Sequence, residues 1–191
     1  TLGADVVARF GPTLPYLMKV IAAEKPLSLQ VHPTRERAAA AYDAEDRAGV
    51  PVDAPHRNYR DRNHKPELVY ALTRFEAMCG FRAPRRAAEL LSDLAAPLAR
   101  TLAADLRADP SPGGIRTAFR HLLDPATRPG ADAVAAVAEA CCRRLRAGSP
   151  SPRADRTVAT LAEQYPGDPG VGTSLLLNPV TLQPGAAMFV T

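Results

Sequence analysis

Leu27-Ser28-Leu29-Gln30-Val31-His32-Pro33 alternates apolar and polar side chains without a break. Successive side chains on a strand point to opposite faces, so this spacing predicts a β-strand. One face carries Leu27, Leu29 and Val31 and reads as core. The other carries a hydroxyl, an amide and an imidazole in a row, at Ser28, Gln30 and His32. That row is either the wet side of a sheet or a site.

Upstream, Pro15 to Glu24 (PYLMKVIAAE) reads as a second strand, joined to the first through Lys25-Pro26, where a proline suits a strand boundary. Downstream, Thr34 is placed to cap a helix through RERAAAAYDAEDRA, with Gly49 just beyond its end. A loop rich in Pro, Asn and Asp follows, then two short apolar runs of strand length, ELVYALT and FEAMCGF. The texture changes at Arg82-Ala83-Pro84. Leucines 90, 91, 94, 98, 102 and 106 lie on one face of a helix over Arg85 to Asp109, with a kink expected at Pro97. Three more helices follow, carrying Ile115, Phe119, Leu122 and Leu123, then Val134, Val137, Cys141 and Leu145, then Val158, Leu161, Ala162 and Tyr165. Strand texture returns with Leu175 to Leu177, and VTLQPGAAMFV reads as a hairpin turning at Pro184-Gly185.

Composition bounds the function classes. The 191 residues suit one domain or one domain with an insertion, and 46% hydrophobic with 23% charged residues is a soluble globular balance. No apolar run approaches the ~18 residues a membrane span needs. The opening residues lack a basic start followed by an apolar core, so no signal peptide is expected, and there is no initiator Met. The net charge of +4 is spread among interspersed acids. Short runs such as Arg85-Arg86 and Arg143-Arg144-Leu145-Arg146 therefore read as solvated helix faces, not a nucleic-acid stripe. Cys79, Cys141 and Cys142 form no disulfide framework and read as buried free thiols, which places the chain in the cytoplasm.

Gln30 and His32, two apart on one strand, can converge on one ion. Asn63-His64-Lys65-Pro66-Glu67 is the second polar block, at the entry to the next strand. Zinc takes nitrogen and oxygen donors and keeps a position open where the site is catalytic. Gln30, His32 and Glu67 would carry one negative charge against the ion's two, leaving it strongly Lewis acidic. From spacing alone, a hydrogen-bonded structural histidine is the commoner explanation of His32. His64, His56 and His121 read as structural or solvent-facing. Gly167, Gly170 and Gly172 read as turn glycines, since no Gly-Lys-Ser/Thr follows.

LPYLMKVIAAEKPLSLQVHP, NYRDRNHKPELVYALTRFEAMCGFR and YPGDPGVGTSLLLNPVTLQPGAAMFV together closely resemble type I mannose-6-phosphate isomerase. The resemblance runs from about Phe10 to Thr191 and is weakest through the helices. It implies a fold that is mainly β with a helical insertion: a portion of a cupin-type β-barrel, or jelly roll, plus an α-helical module. Residues 1–82 would form the first part of the barrel with the metal site, 83–168 the insertion, and 169–191 the start of the following strands. By position it makes Gln30, His32 and Glu67 zinc ligands. It sets Ser28 near the phosphate end of the substrate and Lys19 and Lys65 along the pocket. A fourth ligand, a histidine, and the family's arginine would follow Thr191, and earlier barrel strands would precede the chain.

The implied reaction interconverts mannose 6-phosphate and fructose 6-phosphate, moving a proton between C1 and C2 through an enediol with one Zn2+ per site. Lys65 then serves either as an acid–base group or as a fixed positive charge holding substrate. The implied ligand is a small sugar phosphate, with no nucleic acid, membrane or obligate protein partner. A non-catalytic cupin-like protein binding a metal or a sugar phosphate stays as the alternative. The 191 residues by themselves, with three ligands and open strand edges, are expected to be inactive and prone to aggregate.

Overall fold

A computed structural model describes residues 2–12 and 16–190. Its elements in order are helices α1 (Ala4–Phe10) and α2 (Arg35–Arg47), strands β1 (Glu67–Tyr70) and β2 (Phe75–Phe81), and helices α3 (Pro84–Ser92), α4 (Pro97–Ala108), α5 (Pro112–Leu123), α6 (Ala131–Arg146), α7 (Pro152–Gln164) and α8 (Gly170–Thr173). A 3-10 turn (Ser174–Leu176) then leads into β3 (Leu177–Leu182) and β4 (Ala187–Val190). Helix makes up 48% and strand 11%, so the expectation of a mainly β chain is corrected: helices dominate.

The strands form two antiparallel pairs, β1 with β4 and β2 with β3. Tyr70 faces Ala187 and Phe75 faces Leu182, with four residues between on each strand, so one register runs through both pairs. The register shifts only between Met78 and Phe81, where Gly80 takes φ +69°. The expected hairpin at Pro184-Gly185 is therefore corrected. The turn itself forms, with the Ala186 N–H donating to the Gln183 carbonyl at 2.9 Å and Gly185 at φ +87°. Proline before a positive-φ glycine is a type II turn. But β3 and β4 pair with different strands, and the turn is a corner in a long ribbon. Leu175 and Leu176, expected in a strand, lie in the buried 3-10 turn instead.

The strands expected over Pro15–Glu24 and Leu27–Pro33 are also corrected, with Pro15 itself outside the described residues. Residues 16–33 carry no strand. Alternation orders side chains about a backbone, but a strand also needs a ladder partner, and residues 16–33 pair with none of the four strands described. The supposed core face is open to solvent, with Leu27 60% and Val31 73% exposed. Among the contacts that hold the segment, the Tyr165 hydroxyl donates to the Pro26 carbonyl at 2.5 Å, and the Lys65 N–H reaches the Pro33 carbonyl at 3.5 Å.

Helix α2 starts and stops as its sequence signals require. The Thr34 hydroxyl accepts from the Arg37 N–H at 3.3 Å, and Gly49 follows the end at φ +73°. The long helix over Arg85–Asp109 is instead two helices, broken at residues 93–96. Proline has no N–H and clashes with the preceding turn, so Pro97 opens α4 at its first position. The leucine face survives the break, since Leu90, Leu91, Leu94, Leu98, Leu102 and Leu106 are all buried in one core with Ile115, Leu122, Val134, Val137 and Val158.

Arg144 departs from the solvated-face reading. Its guanidinium binds fully buried Asp155 through two bonds, at 2.9 and 2.6 Å, and donates to the Leu90 carbonyl at 2.9 Å. The Ser149 hydroxyl adds a third bond to Asp155 at 2.5 Å. Burial raises the Asp155 pKa, but the bonds from Arg144 and Ser149 outweigh it and hold the carboxyl below its ordinary value. Cys141 beside it is buried as expected, and burial with the Asp155 charge pushes its thiol up to about 12, whereas Cys79 and Cys142 are only half-buried.

Removing the carboxylate strands a buried guanidinium, so Asp155→Asn is expected to cost about 3 kcal/mol in urea unfolding; a loss under about 1 kcal/mol would contradict the clamp. Because its folded pKa is depressed, Asp155 contributes fully above the ordinary carboxyl value of about 3.9. That contribution fades as pH falls below it. Between neutral and acid pH the Asn variant should lose less stability than the parent.

Candidate metal and substrate site

Two short segments meet at the entrance to β1. Gln30 and His32 are two apart in the segment before α2, and Lys65 and Glu67 are two apart where the loop becomes a strand. The loop before Lys65 is set by Arg57, which is 4% exposed. Its Nε donates to the Tyr59 carbonyl at 2.7 Å, it pairs with Asp46 at 2.8 Å, and it lies over the Tyr42 ring at 4.6 Å. Glu45 accepts from the Asn58 and Tyr59 N–H groups at 3.0 and 2.8 Å. Helix α2 thus fixes the loop that delivers Lys65 and Glu67.

His32 Nδ1 lies 2.8 Å from the Lys65 carbonyl oxygen. A carbonyl only accepts, so Nδ1 carries the proton, and in the neutral ring the lone pair is on Nε2. That nitrogen is 3.6 Å from Glu67 Oε2. Lys65 Nζ donates to Gln30 Oε1 at 2.5 Å and sits 3.3 Å from Glu67 Oε1. Gln30 and Glu67 are therefore held by one ammonium, and His32 by the carbonyl of the same lysine. The Lys65 and Glu67 side chains are 48% and 43% exposed, so water screens this pair heavily.

The donor set fits a divalent ion. An imidazole lone pair facing a carboxylate oxygen is two acceptors with no proton between them, an arrangement a cation resolves. Zinc bonds of 2.0–2.2 Å in a tetrahedron separate two ligand atoms by about 3.4 Å, close to the observed 3.6 Å. The Nδ1–H bond to a backbone carbonyl is the usual outer support of a metal-binding histidine. Among the described residues no three His, Cys, Asp or Glu side chains converge. An ion here accordingly depends on the Gln30 amide oxygen as its third donor.

Ser28 and Lys19 lie exposed on the same segment, Ser28 two residues before Gln30. His56 and His64 are exposed, and His121 pairs with Asp105 at 3.6 Å between α5 and α4. Glu76 is tied elsewhere, to Arg74 at 2.5 Å, Arg153 at 2.6 Å and the Thr181 hydroxyl at 2.9 Å. Sequence reasoning missed Arg57 and Glu45. Their partners are scattered over some fifteen residues with no period to reveal them, and only the concentration of charge around the loop hinted at a fastening.

Residues 1–84 match the family model for the phosphomannose isomerase type I catalytic domain. The mannose-6-phosphate isomerase of Salmonella typhimurium is 40% identical over 189 residues, covering 99% of this chain and 46% of that protein. The Homo sapiens enzyme of the same name is 31% identical over 202 residues, covering 100% of this chain and 45% of that one. Among solved structures, mannose 6-phosphate isomerase from Salmonella typhimurium bound to substrate (f6p) and a metal atom (zn) superposes with a TM-score of 0.78 at 38% identity. It covers 99% of this chain and 46% of that one. A zinc-bound holo structure of a mannose 6-phosphate isomerase gives a TM-score of 0.79. The chain spans about half the length of the curated relatives it matches. Over nearly its whole length, then, the chain is similar to mannose-6-phosphate isomerases, and its first 84 residues match the type I phosphomannose isomerase catalytic domain.

Proposed function

We propose that this chain is part of a zinc-dependent aldose–ketose isomerase that interconverts mannose 6-phosphate and fructose 6-phosphate. The observation that carries the proposal is the convergence on the Glu67 carboxylate, with His32 Nε2 at 3.6 Å from one oxygen and the Lys65 ammonium, itself bound to Gln30 Oε1, at 3.3 Å from the other. In this reading residues 1–82 and 169–191 belong to a cupin-type barrel and 83–168 to a helical insertion, and the enzyme works in the cytoplasm. The fourth zinc ligand lies outside these residues.

Gln30, His32 and Glu67 hold the ion. When bound, zinc supplies a Lewis acid that polarises the sugar's carbonyl and hydroxyl oxygens. The remaining work falls to the chain. Lys65, which contacts Gln30 and Glu67, would present its ammonium to the sugar. There it holds substrate or exchanges a proton with the enediol oxygens as the C1–C2 proton moves. Ser28 Oγ donates to the phosphate end, and Lys19 adds a positive charge along the same segment. The Lys65 carbonyl keeps the His32 proton on Nδ1, so that Nε2 stays available.

The full reading frame, expressed and loaded with zinc, should interconvert the two sugar phosphates in D2O with deuterium entering the carbon-bound position. Stoichiometric zinc without interconversion overturns the isomerase reading and favours a non-catalytic binder. His32→Ala should weaken zinc binding by about a hundredfold in chelator competition, and unchanged affinity would remove His32 from the ligand set. Lys65→Met removes the competing ammonium, so zinc binding should tighten by roughly two- to fivefold. Unchanged or weaker binding would show that Lys65 does not compete with the ion. The 191 residues alone should show no turnover.

A further inference from the structure

Helix α2 stands between the two segments that carry Gln30 and His32 on one side and Lys65 and Glu67 on the other. Its entrance follows His32 and Pro33 directly, and the chain beyond its end comes back to that entrance before β1. The return is fastened to the helix at successive points. Near the helix end, Glu45 accepts from the Asn58 and Tyr59 N–H groups, and Arg57 pairs with Asp46. Further on, Arg62 pairs with Asp43 at 2.9 Å. At the entrance, the Lys65 N–H reaches the Pro33 carbonyl at 3.5 Å, and the Lys65 carbonyl accepts from His32 Nδ1 at 2.8 Å. Residues 57–65 thus run back along α2 from its last turns to its cap.

These fastenings differ in strength. The Arg62 and Asp43 side chains are both exposed, so water screens their pair. The Lys65 N–H bond is long. Arg57, by contrast, has no exposed side-chain surface. Besides its bond to the Tyr59 carbonyl, it donates to the Val50 carbonyl at 2.5 Å and lies 3.6 Å from Glu45. Its planar fork therefore ties backbone on both sides of Arg57 to the carboxylates of the helix, a geometry that a single point charge does not impose. The N–H bonds from Asn58 and Tyr59 hold the Glu45 carboxyl below its ordinary pKa, so it faces Arg57 ionised at neutral pH. Metal ligands tolerate displacements of only about 0.5 Å before a site loosens.

Resting on the reading of Gln30, His32 and Glu67 as zinc ligands, we propose that Arg57 is a positioning residue for that site. It locks the returning loop onto α2 and so sets where Glu67 stands relative to Gln30 and His32. Arg57 acts only through Lys65 and Glu67. The sign of its effect separates this role from simple charge. Through its field alone, a cation opposes a divalent ion, and removing it would tighten zinc binding. Removing a lock weakens binding instead.

Zinc affinity of the full-length protein, measured by chelator competition, tests the lock, together with the visible absorption of the cobalt-substituted protein. Arg57→Gln should weaken zinc binding by roughly tenfold. It should also alter the cobalt bands at saturation, which a loss of stability alone would leave unchanged. Tyr42→Leu removes the ring beneath Arg57 without changing charge and should weaken zinc binding by roughly threefold. That variant keeps the test decisive if Arg57→Gln does not fold. Arg62→Gln, on an exposed pair, should stay within about twofold of the parent. Tighter zinc binding in Arg57→Gln overturns the positioning role. So do parent-like affinity and cobalt bands in the variants that fold, while His32→Ala still weakens zinc. A parent protein that binds no zinc overturns the metal site itself, and the positioning role with it.

Discussion

One antiparallel register joins residues 67–78 to residues 179–190, across a hundred residues of intervening chain. Closing a loop that long costs entropy that grows only slowly with length, and two features offset it. The intervening helices have a leucine-rich core of their own, from Ala87 to Leu176. Arg153 also reaches from α7 to Glu76 and Thr181, fastening the helices to both strands of the ribbon. The ribbon in turn decides where Glu67 stands, opposite Val190 at its far end. The half of the chain that bears Gln30, His32 and Glu67 and the helical half therefore share one mechanical joint.

At the other end of β1, the site is organised by a cation in advance of any metal. Lys65 binds Gln30 and Glu67 with its ammonium and His32 with its carbonyl, so one residue gathers all three donors. The backbone contact does more than the charge contact. It fixes which imidazole nitrogen is free, whereas the ammonium lies half in water and holds its partners only loosely. A site of this kind is ordered enough to capture an ion and weak enough to give up its lysine.

Much of the chemistry was legible in the sequence, and less of the architecture. The Gln30–His32 spacing and the polar block ending in Glu67 marked residues that do meet, even though residues 16–33 are not a strand. Strand pairing is a property of partners, and no local pattern reports it. The turn at Pro184-Gly185 was correct as chemistry and wrong as a hairpin for the same reason. Helix ends followed local signals at Thr34 and Gly49, while Pro97 turned an expected kink into a break. Arg144 looked like any surface arginine. Only the packing of α6 against α7 brings it to Asp155, and charge runs do not reveal which member is buried.

Zinc K-edge X-ray absorption of the metal-loaded protein addresses the ligand set most directly. Ligation by Gln30, His32 and Glu67 gives a first shell of nitrogen and oxygen only, at about 2.0–2.1 Å, with the outer scattering of an imidazole. A sulfur shell at about 2.3 Å would instead put the ion on Cys79, Cys141 or Cys142, and the site described at the mouth of β1 would not be the metal centre.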